Sequence, residues 1–180
     1  MSIHVRAAVE GDFAALSRLD LTYPTRRYLA IERAGAAPEH TFSLRWRERE
    51  ATDAVYNDYP VEKLLAAESK VDLFLVAEAD GVAVGLLMVM VPAWTDAAEI
   101  TDLAVDRRAR RVGAGKALVE AATAWALERG YRALWVEPRA DNEESIEFYL
   151  RTGFRLSGFN DRLYSDEPAQ LVVYMHLEIK

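Results

Sequence analysis

The chain contains no cysteine among its 180 residues. That excludes a disulfide framework, a thiolate metal site and a cysteine nucleophile. Histidine is almost as scarce. His4, His40 and His176 are far apart and lack ligand spacing, so no metal is expected. The 9 glycines and 6 prolines are too few for a low-complexity or collagen-like chain. No apolar run approaches the length of a membrane span. The longest, residues 82–91, is interrupted by Gly85 and suits a buried strand. The opening MSIHVRAAVEGD has no signal-peptide pattern, so the expectation is a cytoplasmic protein with no membrane partner. Positive charge is in deficit: 22 Lys and Arg against 29 Asp and Glu give a net charge of −7. That argues against a nucleic-acid partner and is compatible with a cationic substrate.

What remains is a chain that is 51% hydrophobic, enough for one domain, residues 1–180, with a substantial core. IHVRAA opens it as a short alternating strand. A helical stretch follows over 13–21, with Asp12 as a plausible N-cap. Residues 22–60 are punctuated by Pro24, Pro38 and Pro60, and carry one alternating run, 40–46, that reads as a strand. Residues 61–69 look helical. Strands follow at 72–78 and 82–91, joined by an Asp80-Gly81 hairpin. A further strand covers 98–105 and a helix covers 113–129, with Leu118, Ala121, Ala122 and Trp125 on its apolar face and Gly130 closing it. A short strand at 133–137, a helix between Asp141-Asn142 and Gly153, and strands at 154–158 and 170–178 complete the chain. This β-β-β-α-β-α-β-β order predicts an α/β (α+β) fold, a mixed sheet with helices on its faces.

The stretch ITDLAVDRRARRVGAGK, residues 100–116, carries the clearest chemistry. An apolar strand enters a turn in which Arg110, Gly113 and Gly115 form R-x-x-G-x-G, and a helix leaves it. Backbone N–H groups and a helix N-terminus then converge, which is the geometry of a pyrophosphate site. Arg107, Arg108, Arg110 and Arg111, with Lys116 beyond, form the only basic cluster and coincide with that turn. A Walker loop is excluded, because Arg110 stands at its first glycine and Ala117 at its hydroxyl position. A dinucleotide fingerprint fits Gly113 and Gly115 but places Leu118 at the third glycine.

LAVDRRARRVGAGKALV, residues 103–119, resembles the coenzyme A loop of the GCN5-related N-acetyltransferases. ADNEESIEFYLRTGF, residues 140–154, is similar to a second motif of that family, N-x-x-S/A-x-x-F-Y-x-x-x-G-F, through Asn142, Ser145, Phe148, Tyr149, Gly153 and Phe154. The resemblance covers residues 70–158 well and the first 60 weakly. It implies a mostly antiparallel mixed sheet with a splayed central strand pair and flanking helices, and acetyl-CoA as co-substrate. Leu103, Ala104 and Val105 would then face the thioester and pantetheine arm. Arg110, Arg111, Val112, Gly113, Ala114, Gly115 and Lys116 would hold the pyrophosphate. Asn142 and Ser145 are further candidates for the coenzyme, Asn142 being equally a helix cap.

Acyl transfer to an amine requires an acceptor for the ammonium proton. Glu99 and Asp102 lie on the strand before the turn. Three residues apart, they are expected on opposite faces, and Asp102 is favoured. Tyr149 occupies the family's tyrosine position and is the candidate general acid for the departing thiolate. The C-terminal region, with FY…GF, Leu163-Tyr164 and an aromatic-rich last strand, is similar to that of streptothricin acetyltransferases. EITDLAV resembles their strand before the loop. The implied partner is a small-molecule amine with a cationic chain. Candidate pocket residues are Trp46, Glu78, Asp102 and Tyr164, with Glu99, Asp161 and Asp166 as further acids. Protein N-terminal or lysine acetylation, and a non-catalytic coenzyme A sensor, stay open. Homodimers are common in the family, and the last strand could serve one.

Overall fold

The computed structural model describes residues 2–55, 58–163 and 171–179. In chain order the elements are β1 (Ile3–Ala7), α1 (Phe13–Leu16), β2 (Thr22–Ala36), β3 (Glu39–Val55), α2 (Val61–Glu68), β4 (Leu73–Ala79), β5 (Val82–Met90), β6 (Ala97–Val105), α3 (Ala114–Glu128), β7 (Ala133–Val136), α4 (Glu143–Arg151), β8 (Arg155–Asn160) and β9 (Val172–Glu178). Contacts separate two compact units. The first draws on residues 1–22, 55–136 and 176–180, the second on 23–54 and 137–175.

The first unit is built on a sheet in the order β1-β4-β5-β6-β7. Its strand pairs are antiparallel except β6 with β7. The expected hairpin between β4 and β5 forms, with Asp80 at φ 49° and Gly81 at φ 82°, the left-handed pair that a tight two-residue turn needs. One face of the sheet supports a core of Phe13, Leu16, Leu21, Tyr59, Leu64, Phe74, Val76, Leu86, Met88 and Ala104. α3 packs against β4, β5 and β6, and its Leu118 lies beside Gly85 of β5, so α3 covers the opposite face. Its buried stripe includes Leu118, Val119, Ala122 and Ala126.

Two local expectations change. α1 stops at Leu16 rather than continuing to Leu21, because the following residues are drawn elsewhere: Asp106 accepts from the Asp20 N–H at 2.9 Å, and Asp20 accepts from the Arg107 N–H at 2.7 Å. Asp12 does precede α1 but makes no cap hydrogen bond to it. Its carboxylate instead accepts from the Val9 N–H at 2.9 Å and from both terminal nitrogens of Arg6 at 2.7 and 2.8 Å. A buried carboxylate beside a guanidinium gains more from that charge than from a helix end.

The second unit contains the two-stranded β2–β3 ribbon, α4, β8 and the first residues of β9, which lie beside β8. The strand expected at 40–46 is the start of a much longer one. Beyond Trp46 it continues through Arg47, Glu48, Arg49 and Glu50, so that stretch lacks the apolar stripe by which a half-buried strand is recognised. Across the ribbon the hydroxyls of Thr25 and Thr52 lie 2.8 Å apart. The Leu29 N–H donates to the Ala140 carbonyl at 2.9 Å, and the Ala140 N–H to that of Leu171 at 2.7 Å, which ties β2 and the start of β9 to the chain leading into α4.

Candidate active site

β6 is where the first unit's geometry becomes unusual. It pairs with β7 only through Ala97, Ala98 and Glu99, opposite Ala133, Leu134 and Trp135. From Ile100 to Val105 it continues along β5 alone. The strands therefore part after Glu99, as a splayed pair should. Leu103, Ala104 and Val105 lie on this diverging portion, opposite Leu87, Leu86 and Gly85.

The register along β5 also moves the two carboxylates. Asp102 faces Met88, but Ile100 faces Val89, so Thr101 is an extra residue in β6. A bulge of one residue restores the side-chain parity that three residues of regular strand would invert. Glu99 then lies opposite Met90 and Asp102 opposite Met88, two residues apart in β5. Both carboxylates stand on the same face, separated by about 7 Å of strand. The expectation that they point apart is corrected by this bulge, which no pattern in the sequence announces.

That face is the one lined by Met88, Leu86 and Ala104, and it brings in a residue that sequence reasoning missed. Tyr59, only 3% exposed in the apolar core, donates its phenol proton to Asp102 Oδ1 at 2.6 Å. The length falls in the charge-assisted class, about 2.5–2.7 Å for a hydroxyl on a carboxylate. Lys63 lies over the Tyr59 ring, its Nζ 5.1 Å from the centroid. The available signal was Tyr59-Pro60 ahead of α2: proline holds the preceding residue extended, which points an aromatic back across the helix start.

At the far end of β6 the turn is held by its own side chains. Asp106 accepts from the Arg108 N–H at 2.8 Å, and the Asp106 N–H donates to the Val84 carbonyl at 2.8 Å. Arg110 directs its guanidinium inward, donating to the carbonyls of Val105 at 3.2 Å and Thr22 at 2.8 Å. It braces the loop, a role distinct from the anion contact expected of it. Arg111 at φ 65° and Gly113 at φ 99° place two left-handed residues just before α3. Gly113 is the N-cap and supplies no side-chain cap. The first N–H groups of a 15-residue helix, those of Ala114, Gly115 and Lys116, therefore end at a turn with left-handed residues, a backbone arrangement that favours negative charge. Arg111, Val112 and Gly113 are exposed there. Lys116 Nζ lies 3.6 Å from Glu120 on the same helix.

Glu78 sits elsewhere on the sheet. It faces Ala83, five residues along β5 from Met88, or about 17 Å of strand. Its carboxylate accepts from Arg6 at 2.6 Å, which the structure does not bring together with Asp102.

The second unit carries the remaining candidates. Tyr149 is 3% exposed on α4 and packs edge-on against Phe148 and Phe154, with centroids 5.3 and 5.0 Å away. Asn142 is the cap of α4: its Oδ1 accepts from the Ser145 N–H at 3.1 Å. The helix cap expected of it is made, and Ser145 is the residue capped. Trp46 stands on β3 with the Arg27 guanidinium 5.1 Å from its ring centroid. Asp161 pairs with Arg33, which holds its carboxyl below the usual aspartate range. Tyr164 and Asp166 fall outside the described residues.

Among the described residues no cluster of metal-ligating side chains occurs, and no helix is long and apolar enough to cross a membrane.

The chain is similar to known proteins. The acetyltransferase (GNAT) family model matches residues 38–154. The chain is 29% identical over 172 residues to the streptothricin acetyltransferase of Streptomyces lavendulae, covering 92% of this chain and 88% of that protein. Its fold superposes on a crystal structure of nourseothricin acetyltransferase with a TM-score of 0.82, at 27% identity and 100% coverage of both chains. A structure from Bacillus anthracis str. Ames in complex with acetyl coenzyme A has the same fold, with a TM-score of 0.81 at 19% identity over 99% of each chain.

Proposed function

The chain belongs to the GNAT acetyltransferase family and is an acetyl-CoA-dependent N-acetyltransferase; on that premise we propose that its acceptor is a primary amine on a streptothricin-type antibiotic. The observation that carries the reading is the uncapped, Gly113-led start of α3, placed where β6 has already left β7. Likeness over nearly the whole chain to two acetyltransferases of that antibiotic class supports the acceptor.

In this reading the coenzyme's pyrophosphate lies on the N–H groups of residues 113–116, and the acetyl thioester along Leu103–Val105. The amine nitrogen bonds to the thioester carbonyl carbon as the carbon–sulfur bond breaks. The ammonium must first lose a proton, and Asp102 accepts it directly or through water. Glu99, on the same face, adds negative charge that favours a cationic acceptor. The nitrogen sheds its second proton as the amide forms, which balances the proton taken up by the departing thiolate.

The test is thiol release from acetyl-CoA against an amine panel of streptothricin, aminoglycosides, polyamines and N-terminal peptides, with acetyl-CoA binding measured alongside. Turnover confined to streptothricin supports the proposal. Turnover on the peptides instead assigns the protein to protein acetylation. Acetyl-CoA binding with no turnover on any amine leaves a coenzyme A sensor.

A further inference from the structure

We propose that Tyr59 is a positioning residue for the transfer, acting through the carboxylate of Asp102. The inference rests on Asp102 facing the incoming amine, as in the reading above. A carboxylate at a strand edge can rotate about its last torsion, and only some orientations present an oxygen lone pair to an ammonium. The Tyr59 phenol removes that freedom. Its proton is committed to Oδ1 at 2.6 Å, and the side chain, 3% exposed, belongs to the same apolar core as Leu64, Met88 and Ala104. The ring cannot follow the carboxylate if it turns. A tyrosine recruited for packing alone gains nothing from its hydroxyl. Burying a phenol oxygen requires a partner, and here the partner is the one carboxylate that also belongs to the diverging portion of β6. α2 carries the constraint, since Tyr59 precedes its N-cap Pro60 and Lys63, in its first turn, lies over the ring.

Tyr59→Phe keeps the ring and deletes the donor. It is expected to lower kcat/KM for the amine by about tenfold or more, with the KM for acetyl-CoA within about twofold of wild type. The decisive arm is a double-mutant cycle. In an Asp102→Asn background, Tyr59→Phe should change the residual rate by less than about twofold, because the residue acts through a group already altered. Equal losses in both backgrounds would overturn the proposal. Phe13→Leu, in the same core but with no hydrogen bond to Asp102, controls for packing. If it reproduces the amine-specific loss at equal thermal destabilisation, the effect is packing and the proposal falls. Should wild-type protein acetylate another panel amine and not streptothricin, the acceptor assignment fails alone, and the same cycle run on that amine decides Tyr59. Absence of turnover on every amine overturns both.

Discussion

Glu99 and Asp102 share a face of the sheet because Thr101 is inserted between them as a bulge against Met88 and Val89. Two carboxylates about 7 Å apart can divide the work on one ammonium group. Asp102→Asn is expected to lower kcat by about 100-fold or more, the usual worth of a positioned proton acceptor, with acetyl-CoA affinity retained. Glu99→Gln should act mainly on the amine, raising its KM several-fold while kcat holds within about threefold. Steady-state kinetics at saturating acetyl-CoA separate the two. The reverse pattern assigns proton acceptance to Glu99.

Gly113 opens α3 with a left-handed backbone and no side-chain cap. At φ 99° it adopts a backbone that L side chains avoid, yet a Cβ there would meet no protein atom within 4 Å. Gly113→Ala should destabilise the fold by about 1–2 kcal/mol through strain alone. Gly113→Asn tolerates the left-handed conformation better and should retain more stability. Both are expected to weaken acetyl-CoA binding, since a side chain now occupies the approach to the N–H groups. Calorimetry with acetyl-CoA together with thermal unfolding checks this. Undiminished binding by the Asn variant would move the pyrophosphate elsewhere.

Gly85 is constrained from the opposite direction. A Cβ on it would lie 2.8 Å from the Ala104 carbonyl oxygen and 3.1 Å from a Val105 methyl. The backbone cannot yield without shifting β6 at the residues expected to face the thioester. Gly85→Ala should therefore cost about 1–3 kcal/mol in urea unfolding and lower kcat in the folded fraction. A stable variant with normal kcat would show that β6 has room to move.

Much of the first unit was legible because its signals are local. The Asp80-Gly81 turn, the 3.6-residue stripe of α3 and the strand–turn–helix at 100–129 each depend on neighbours in sequence. The same is true of the cap at Asn142. The ribbon at 22–55 was opaque, since β3 beyond Trp46 shows no apolar alternation and Pro24 and Pro38 suggested breaks. The Tyr59–Asp102 bond joins residues 43 apart, and the Thr101 bulge is a property of how β6 registers on β5. Neither is encoded in any short window. Arg110 illustrates a third limit. Its position in the motif was clear, but whether a guanidinium faces a ligand or a carbonyl depends on Thr22, brought near only by the fold.

The ion cluster at β1 has its own pH signature. Arg6 bonds to Asp12 and Glu78. The guanidinium, helped by the Val9 N–H and opposed by burial, holds the Asp12 carboxyl below its ordinary range. Arg6 itself is held still further above neutrality by both carboxylates and keeps its charge throughout. A carboxyl depressed by folding stabilises the fold fully above the unfolded-state value near pH 4, and that contribution is lost as pH falls through the lower folded value. Asp12→Asn is therefore expected to be less stable than wild type by about 2 kcal/mol at pH 7. The gap should close as pH drops below about 4. Thermal unfolding of both proteins from pH 7 to pH 3 measures it, and a gap independent of pH would separate the effect from ionisation. Glu78→Gln belongs in the same series. It should lower stability and leave the KM for the amine within about twofold, because its carboxylate is about 17 Å of strand from Asp102. A large rise in that KM would return Glu78 to the substrate pocket.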